Sequence, residues 1–186
     1  MKFTTRDLTL IPIFTALMIV GAKVSIPLAA VPVTFQLFFA ILAGLLLGAR
    51  NGLMSQLLYV FMGLVGLPVF SYGGGFQYVF NPTFGYILGF AGCAFIVGAL
   101  TQKISQMTFV KLTAIASVGF AFTYLFGNVY FYAIKNLYLA SPIGLMDVFK
   151  IMMPYAIKDL ILMLVAVSIS VAVLPRLRAS KAILKN

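Results

Sequence analysis

Of the 186 residues in this chain, 63% are hydrophobic and 9% are charged, and thirteen cations against three anions leave a formal net charge of +10. Soluble proteins carry about 25% charged residues, so the composition excludes a water-solvated domain and reads as an integral membrane protein. The cations flank apolar runs and never interleave with aromatics as a patch, which argues for a lipid bilayer and against nucleic acid as the partner.

The chain opens with Lys2 and Arg6 before an apolar run. That run is longer than a signal-peptide core and has no A-x-A-type cleavage site at the right distance, so it reads as a retained first span. A helical span needs about 20 mainly apolar residues. Six stretches fit: 8–27, 34–49, 53–70, 83–100, 112–134 and 148–174. The fold class expected is an all-α bundle of six transmembrane helices, with residues 1–186 forming a single membrane domain. The second span is short and is expected to be sheltered by protein. The sixth is long and contains Pro154, where a kink or a separate interfacial piece is expected.

Nine of the thirteen cations fall on one side of this topology: Lys2, Arg6, Arg50, Lys103, Lys111, Arg176, Arg178, Lys181 and Lys185. Lys23, Lys135 and Lys150 fall on the other, with Asp147 beside the last. Cations concentrate on the cytoplasmic side, so both termini are expected in the cytoplasm, as an even number of spans requires. Unusual sequence then gathers on the outer side. "SIPLAAVPVTFQ" joins spans one and two, and "KNLYLASPIGLMDVFKIMMPY" joins five and six. Between spans three and four, "VFSYGGGFQYVFNPTFGY" breaks the oil with Gly73, Gly74 and Gly75. Glycine permits positive φ and close backbone approach, and irregular backbone at membrane depth is tolerated only where protein or a wet cavity satisfies it.

Several polar residues converge on this outer level. Asp159 stands at the edge of the last span, where a carboxylate costs about 2.5–3.5 kcal/mol and therefore needs a partner or a ligand. Lys158 beside it points about 100° away on a helix and either snorkels outward or turns into the same space. Asn81 and Thr83 flank Pro82 at the start of span four, where Asn81 also suits a helix N-cap. Tyr86 lies one turn further on, and Gln36 and Lys23 sit at the same depth from spans two and one. Phe35, Phe70, Tyr72, Phe76, Tyr78 and Tyr155 would supply apolar walls. An apolar pocket with a few convergent polar groups is how small-molecule sites are built. Small residues at spacing four, Gly44, Gly48 and Gly52, then Gly85 and Gly89, favour close helix contact, with internal packing as the first reading.

Absences narrow the function. The chain has no G-x-x-x-x-G-K-[ST] phosphate loop and no histidine for an H-E-x-x-H metal site. Three Asp and no Glu leave no acidic cluster for Mg²⁺, and no Ser-His or Cys-His pair can form. Cys93 is the single cysteine, so no internal disulfide exists. No metal or cofactor is expected. Capture of a small molecule fits better than catalysis.

"VPVTFQ", "GLPVFSYGGGFQY", "NPTFGYILGF" and "KDLI" occur in that order, and over nearly the whole chain the sequence resembles the BioY family, the biotin-binding S components of energy-coupling factor (ECF) transporters. The resemblance implies an S-component-like six-helix subunit in a prokaryotic cell membrane. It would bind biotin on the extracellular side and work with a transmembrane T component and two ABC ATPases. It further implies that the biotin ring system is held by Asn81 and Asp159, with Lys158, Tyr86, Thr83 and Gln36 around them and the three glycines as wall or lid. Three departures stand out. Leu162 occupies the place of a family lysine, four residues after Lys158 and so on the same helix face, which would let Lys158 substitute from one turn nearer the surface. Phe84 stands where the family usually has glycine, and the A-x-x-x-A motif of span one is incomplete, with Val20 four residues after Ala16. The alternatives are an S component for another vitamin, a membrane-embedded lipid enzyme, or an assembly subunit without a ligand.

Overall fold

A computed structural model describes residues 4–26 and 31–183. Pro27, at the expected end of span one, and the cations Lys2 and Lys185 lie outside the described residues. Six α-helices follow in order: α1 (Thr5–Lys23), α2 (Gln36–Leu47), α3 (Ala49–Leu64), α4 (Phe84–Gln102), α5 (Phe109–Ala133) and α6 (Leu145–Ile183). A 3₁₀ turn, Phe76–Phe80, precedes α4, and a π-helical turn, Ile134–Tyr138, extends α5. Among the described residues there is no β-strand, only the isolated bridges Ile26–Val33 and Phe70–Gly73.

Four helices, α1, α4, α5 with its π turn, and α6, are long and apolar enough to cross a membrane. The 12-residue α2 is not. At 1.5 Å per residue it spans about 18 Å, against a hydrocarbon core of about 30 Å. Nine of its twelve residues are buried, because α1, α3, α4 and α6 surround it. The short second span is thus solvated by protein rather than lipid.

Three boundaries differ from the sequence reading. The connection expected around Arg50 is a single residue, Gly48, whose φ of +82° joins α2 directly to α3. Only glycine adopts that conformation cheaply, and Arg50 falls in the first turn of α3. The third helix ends at Leu64, not Phe70, and the chain then runs irregularly to the 3₁₀ turn. The last helix continues through Pro154 and Pro175 as one element. The carbonyl that Pro154 leaves without a donor belongs to Lys150, whose side chain is exposed, so the lost bond falls at an open turn.

The small residues serve internal packing. A Cβ on Gly85 or Gly89 would crowd Tyr130 or Thr123 of α5, and one on Gly52 would press on Ala43 of α2. At Gly98, α4 crosses so close to the α2–α3 junction that any side chain would strike the Gly48–Ala49 backbone. The start of α1 is held by a reciprocal cap between Thr4 and Asp7. Asn51 of α3 ties onto it by donating to Asp7 Oδ1 at 2.6 Å.

Candidate ligand-binding site

The bundle opens into an aromatic-walled cavity where five chain segments meet: 31–36 before and at the start of α2, Ser71 and Tyr78 of the connection before α4, the start of α4, the middle of α5 and the first half of α6. It holds about 590 Å³ of space, part of it continuous with the exterior. Of the residues expected at a site, Gln36, Thr83, Tyr86, Lys158 and Asp159 line it. They reach it from the starts of α2 and α4 and from α6, where Lys158 and Asp159 lie about four turns from the helix start.

Asp159 is the centre of the arrangement, with 8% of its surface exposed. Its Oδ2 accepts a hydrogen bond from the Tyr124 hydroxyl at 2.7 Å. Its Oδ1 is in ion-pair contact with Lys158 Nζ but receives no aligned hydrogen bond. Lys158 therefore turns into the cavity rather than snorkelling, and its ammonium also donates to the Thr34 carbonyl. One turn earlier on the same face, Tyr155 donates to the Val31 carbonyl at 2.7 Å. These two bonds pin segment 31–34 across the mouth of α6. A buried carboxylate needs both a counter-charge and hydrogen bonds, and one oxygen here still has acceptor capacity.

The remaining polar groups support one another. Tyr86 donates to Asn128 Oδ1, which is 1% exposed, and its ring stands edge-on to Tyr124 at 6.0 Å. Gln36 donates through Nε2 to the Tyr59 hydroxyl at 3.0 Å, and Tyr59 in turn donates to the Val69 carbonyl. Thr83 is 3.4 Å from the Tyr78 hydroxyl. Burial pushes the Tyr78 phenol above its ordinary range, which keeps it protonated.

Asn81 and the glycines sit elsewhere. The Asn81 side chain does not line the cavity; its Oδ1 accepts from the Thr83 N–H at 2.9 Å and the Thr83 hydroxyl at 2.7 Å. The N-cap position of α4 is Thr83, not Asn81, because this local turn closes two residues before the helix begins. Gly73, Gly74 and Gly75 do not line the cavity either. Gly73 and Gly75 both have φ of +111°, and Gly74 lies against the Leu67 carbonyl. With Gly75 N–H donating to the Gly63 carbonyl at 2.7 Å, the loop is fastened to the end of α3. Of the expected aromatic walls, Tyr78 and Tyr155 line the cavity. Phe70 is fully buried behind Tyr78, at 4.5 Å between ring centres, while Phe35, Tyr72 and Phe76 face outward. Phe84 fills the space beside them, near Phe70, Tyr78 and Tyr130. Lys23 donates to the Phe70 carbonyl at 2.9 Å and so anchors the loop rather than the cavity.

Sequence reasoning missed Tyr124, Thr123, Asn128 and Ser71. A signal existed for three of them. Thr123, Tyr124 and Asn128 cluster within about one and a half turns of an otherwise apolar span, and intramembrane polar groups face the interior of a bundle.

Comparison with known proteins bears on what fills such a cavity. The model of the BioY family matches residues 1–179. A probable biotin transporter BioY from Lysinibacillus sphaericus is 44% identical, over 73% of this chain and 69% of the relative. One from Pyrococcus horikoshii is 34% identical, over 89% of this chain and 94% of the relative. A crystal structure of the S-component for biotin from an ECF-type ABC transporter has the same fold. It superposes with a TM-score of 0.73 at 23% identity, covering 90% of this chain and 94% of the other.

Proposed function

Because the chain belongs to the BioY family, we propose that it is the biotin-capturing S component of an ECF-type importer. It binds biotin in the cavity around Asp159 and releases it inward with the help of a T component and two ABC ATPases. The observation that carries the reading is Asp159: a buried carboxylate with one oxygen short of an aligned hydrogen bond, set in an apolar aromatic cavity. The cyclic urea of biotin has two N–H donors and one carbonyl acceptor. Asp159 Oδ1 receives one N–H, and the urea carbonyl lies toward the Lys158 ammonium, which replaces the cation missing at Leu162. The fused ring system rests against Tyr86, Tyr124 and Phe90. Asn81 lies outside the cavity lining and commits its oxygen to Thr83, so it acts through that residue by holding Thr83 at the cavity wall.

In this reading the protein is a carrier and not a catalyst. Its cavity opens to the outside of the cell and both termini lie in the cytoplasm, as the cation distribution requires.

The test is equilibrium biotin binding to the purified chain. Replacing Asp159 by Ala removes a charge-assisted bond of about 1.5–3 kcal/mol, so affinity is expected to drop about 10- to 100-fold. In the same assay, Asn81→Leu removes the oxygen that Thr83 needs and is expected to weaken binding by loosening the cavity wall. Unchanged affinity in Asp159→Ala would discard the site. Unchanged affinity in Asn81→Leu alone would show that the turn at Thr83 does not shape the cavity.

A further inference from the structure

Where α5 ends and α6 begins, the two helices leave an open groove of about 810 Å³ between them, on the far side of Tyr124 and Met152 from the ligand cavity. Met146, Phe149, Met152 and Met153 wall it. Both helices are long and apolar enough to cross a membrane. Leu125, Val129 and Ile157, next in sequence to residues of the groove, are exposed and apolar. The groove is therefore a recess in the lipid-facing surface. Polar groups interrupt it at two places. Lys150 stands on the rim with an exposed side chain, 3.3 Å from the exposed Asp147. Asn128 lines the recess and is 1% exposed. Its Oδ1 accepts from Tyr86, and among the described residues its Nδ2 donates to no acceptor.

We propose that this groove binds one diacyl phospholipid with a zwitterionic aminoalcohol head group, such as phosphatidylethanolamine. The inference stands apart from the biotin reading and rests only on the chain's place in a membrane. A cation and an anion side by side complement a head group whose phosphate and ammonium are joined by two carbons. The phosphate goes to Lys150 and the ammonium to Asp147. A purely anionic head group would meet Asp147 as a like charge, which is unfavourable.

The depths agree. Lys150 and Asn128 are each five residues from the nearby helix end, Leu145 of α6 and Ala133 of α5, or about 7.5 Å at 1.5 Å per residue. Side chains tilt toward the N-terminus of their helix. Lys150 therefore points toward the membrane surface, as its bridge to Asp147 one turn earlier shows, and Asn128, on a helix of opposite direction, tilts inward. Ammonium above and amide below match the order of phosphate and ester carbonyl in a phospholipid. The ester carbonyl gives Asn128 Nδ2 the acceptor that a buried amide requires. The acyl chain runs on past Met153 to Ala156 and Tyr124, and methionine adapts to its irregular course.

The test is native mass spectrometry of the purified full chain in detergent with equal amounts of phosphatidylethanolamine and phosphatidylglycerol. The wild type is expected to retain one phosphatidylethanolamine in about 2- to 5-fold preference, the range of exposed charge pairs. Asp147→Asn should erase the preference without loss of lipid. Lys150→Met should weaken both lipids, and so should Ala156→Phe, which fills the groove and leaves the rim charges in place. A diether analogue, which lacks the ester carbonyl, should bind less well than the diester. Circular dichroism confirms that each variant folds. Equal retention of the two head groups by the wild type, a preference that survives Asp147→Asn, or undiminished lipid in Lys150→Met or Ala156→Phe would mean annular lipid only and overturn the site. Equal binding of diether and diester overturns the Asn128 contact.

Discussion

Asp159 is held by two neighbours of different kinds, and they do not contribute alike. Lys158 supplies charge, and Tyr124 supplies direction through a 2.7 Å hydrogen bond to Oδ2. Removing only the hydroxyl, as in Tyr124→Phe, leaves the ring in place and frees the carboxylate to rotate. A hydrogen bond to a charged group contributes about 1.5–3 kcal/mol, and because only the part that orients the carboxylate toward the ligand reaches binding, biotin affinity is expected to fall about 2- to 10-fold. Calorimetric titration checks it, and an unchanged affinity would remove Tyr124 from the site. Asp159 itself was legible in the sequence, since an ionisable group in an apolar span demands an explanation. Tyr124 was signalled only as one of three polar residues clustered on an apolar span, because a tyrosine in a membrane helix has an equally good reading as an interfacial aromatic. Only its partner separates the two.

Helices here meet through what their side chains leave out. The fourth helix approaches the α2–α3 junction so closely at Gly98 that a side chain there would displace backbone rather than another side chain. Backbone cannot swing away, so Gly98→Leu is expected to cost about 1–3 kcal/mol or more, in the range of overpacked cores. A lower thermal unfolding midpoint in detergent would show it, and a wild-type midpoint would mean that the crossing can open without loss. Gly73 is the contrasting case: nothing lies within 4 Å of its missing Cβ, yet its φ of +111° suits only glycine. The spacing-four glycines were visible in the sequence as close-contact signals. Whether they faced this chain or another was not, because an i, i+4 stripe names a helix face without naming its neighbour.

For the molecule as a whole, the orientation in the membrane follows from charge and can be measured directly. Cys93 is the chain's single cysteine and is fully buried, so the wild-type protein offers a silent background for thiol labelling. Ser141→Cys, in the segment before α6, is expected to react with a membrane-impermeant maleimide on intact cells. Lys103→Cys, just beyond α4, should react only after permeabilisation. The reverse pattern would invert the topology and turn the cavity toward the cytoplasm.

Composition and the length of the apolar runs by themselves determined that this chain lives in lipid as helices, because continuous apolar runs of about 20 residues cross a bilayer as helices that close their backbone bonds within the segment. The polar residues that interrupt the oil pointed to Gln36, Thr83, Tyr86, Lys158 and Asp159 for the same reason: each is costly in hydrocarbon unless it has a partner. Tertiary structure decided the rest. It placed Asn81 beside Thr83, fastened the glycine loop to α3 away from the cavity, and turned Lys158 inward to Asp159 and the Thr34 carbonyl. Those outcomes depend on which distant backbone carbonyl lies within reach of a side chain. A one-dimensional pattern records the demand for a partner, and only the packed bundle supplies it.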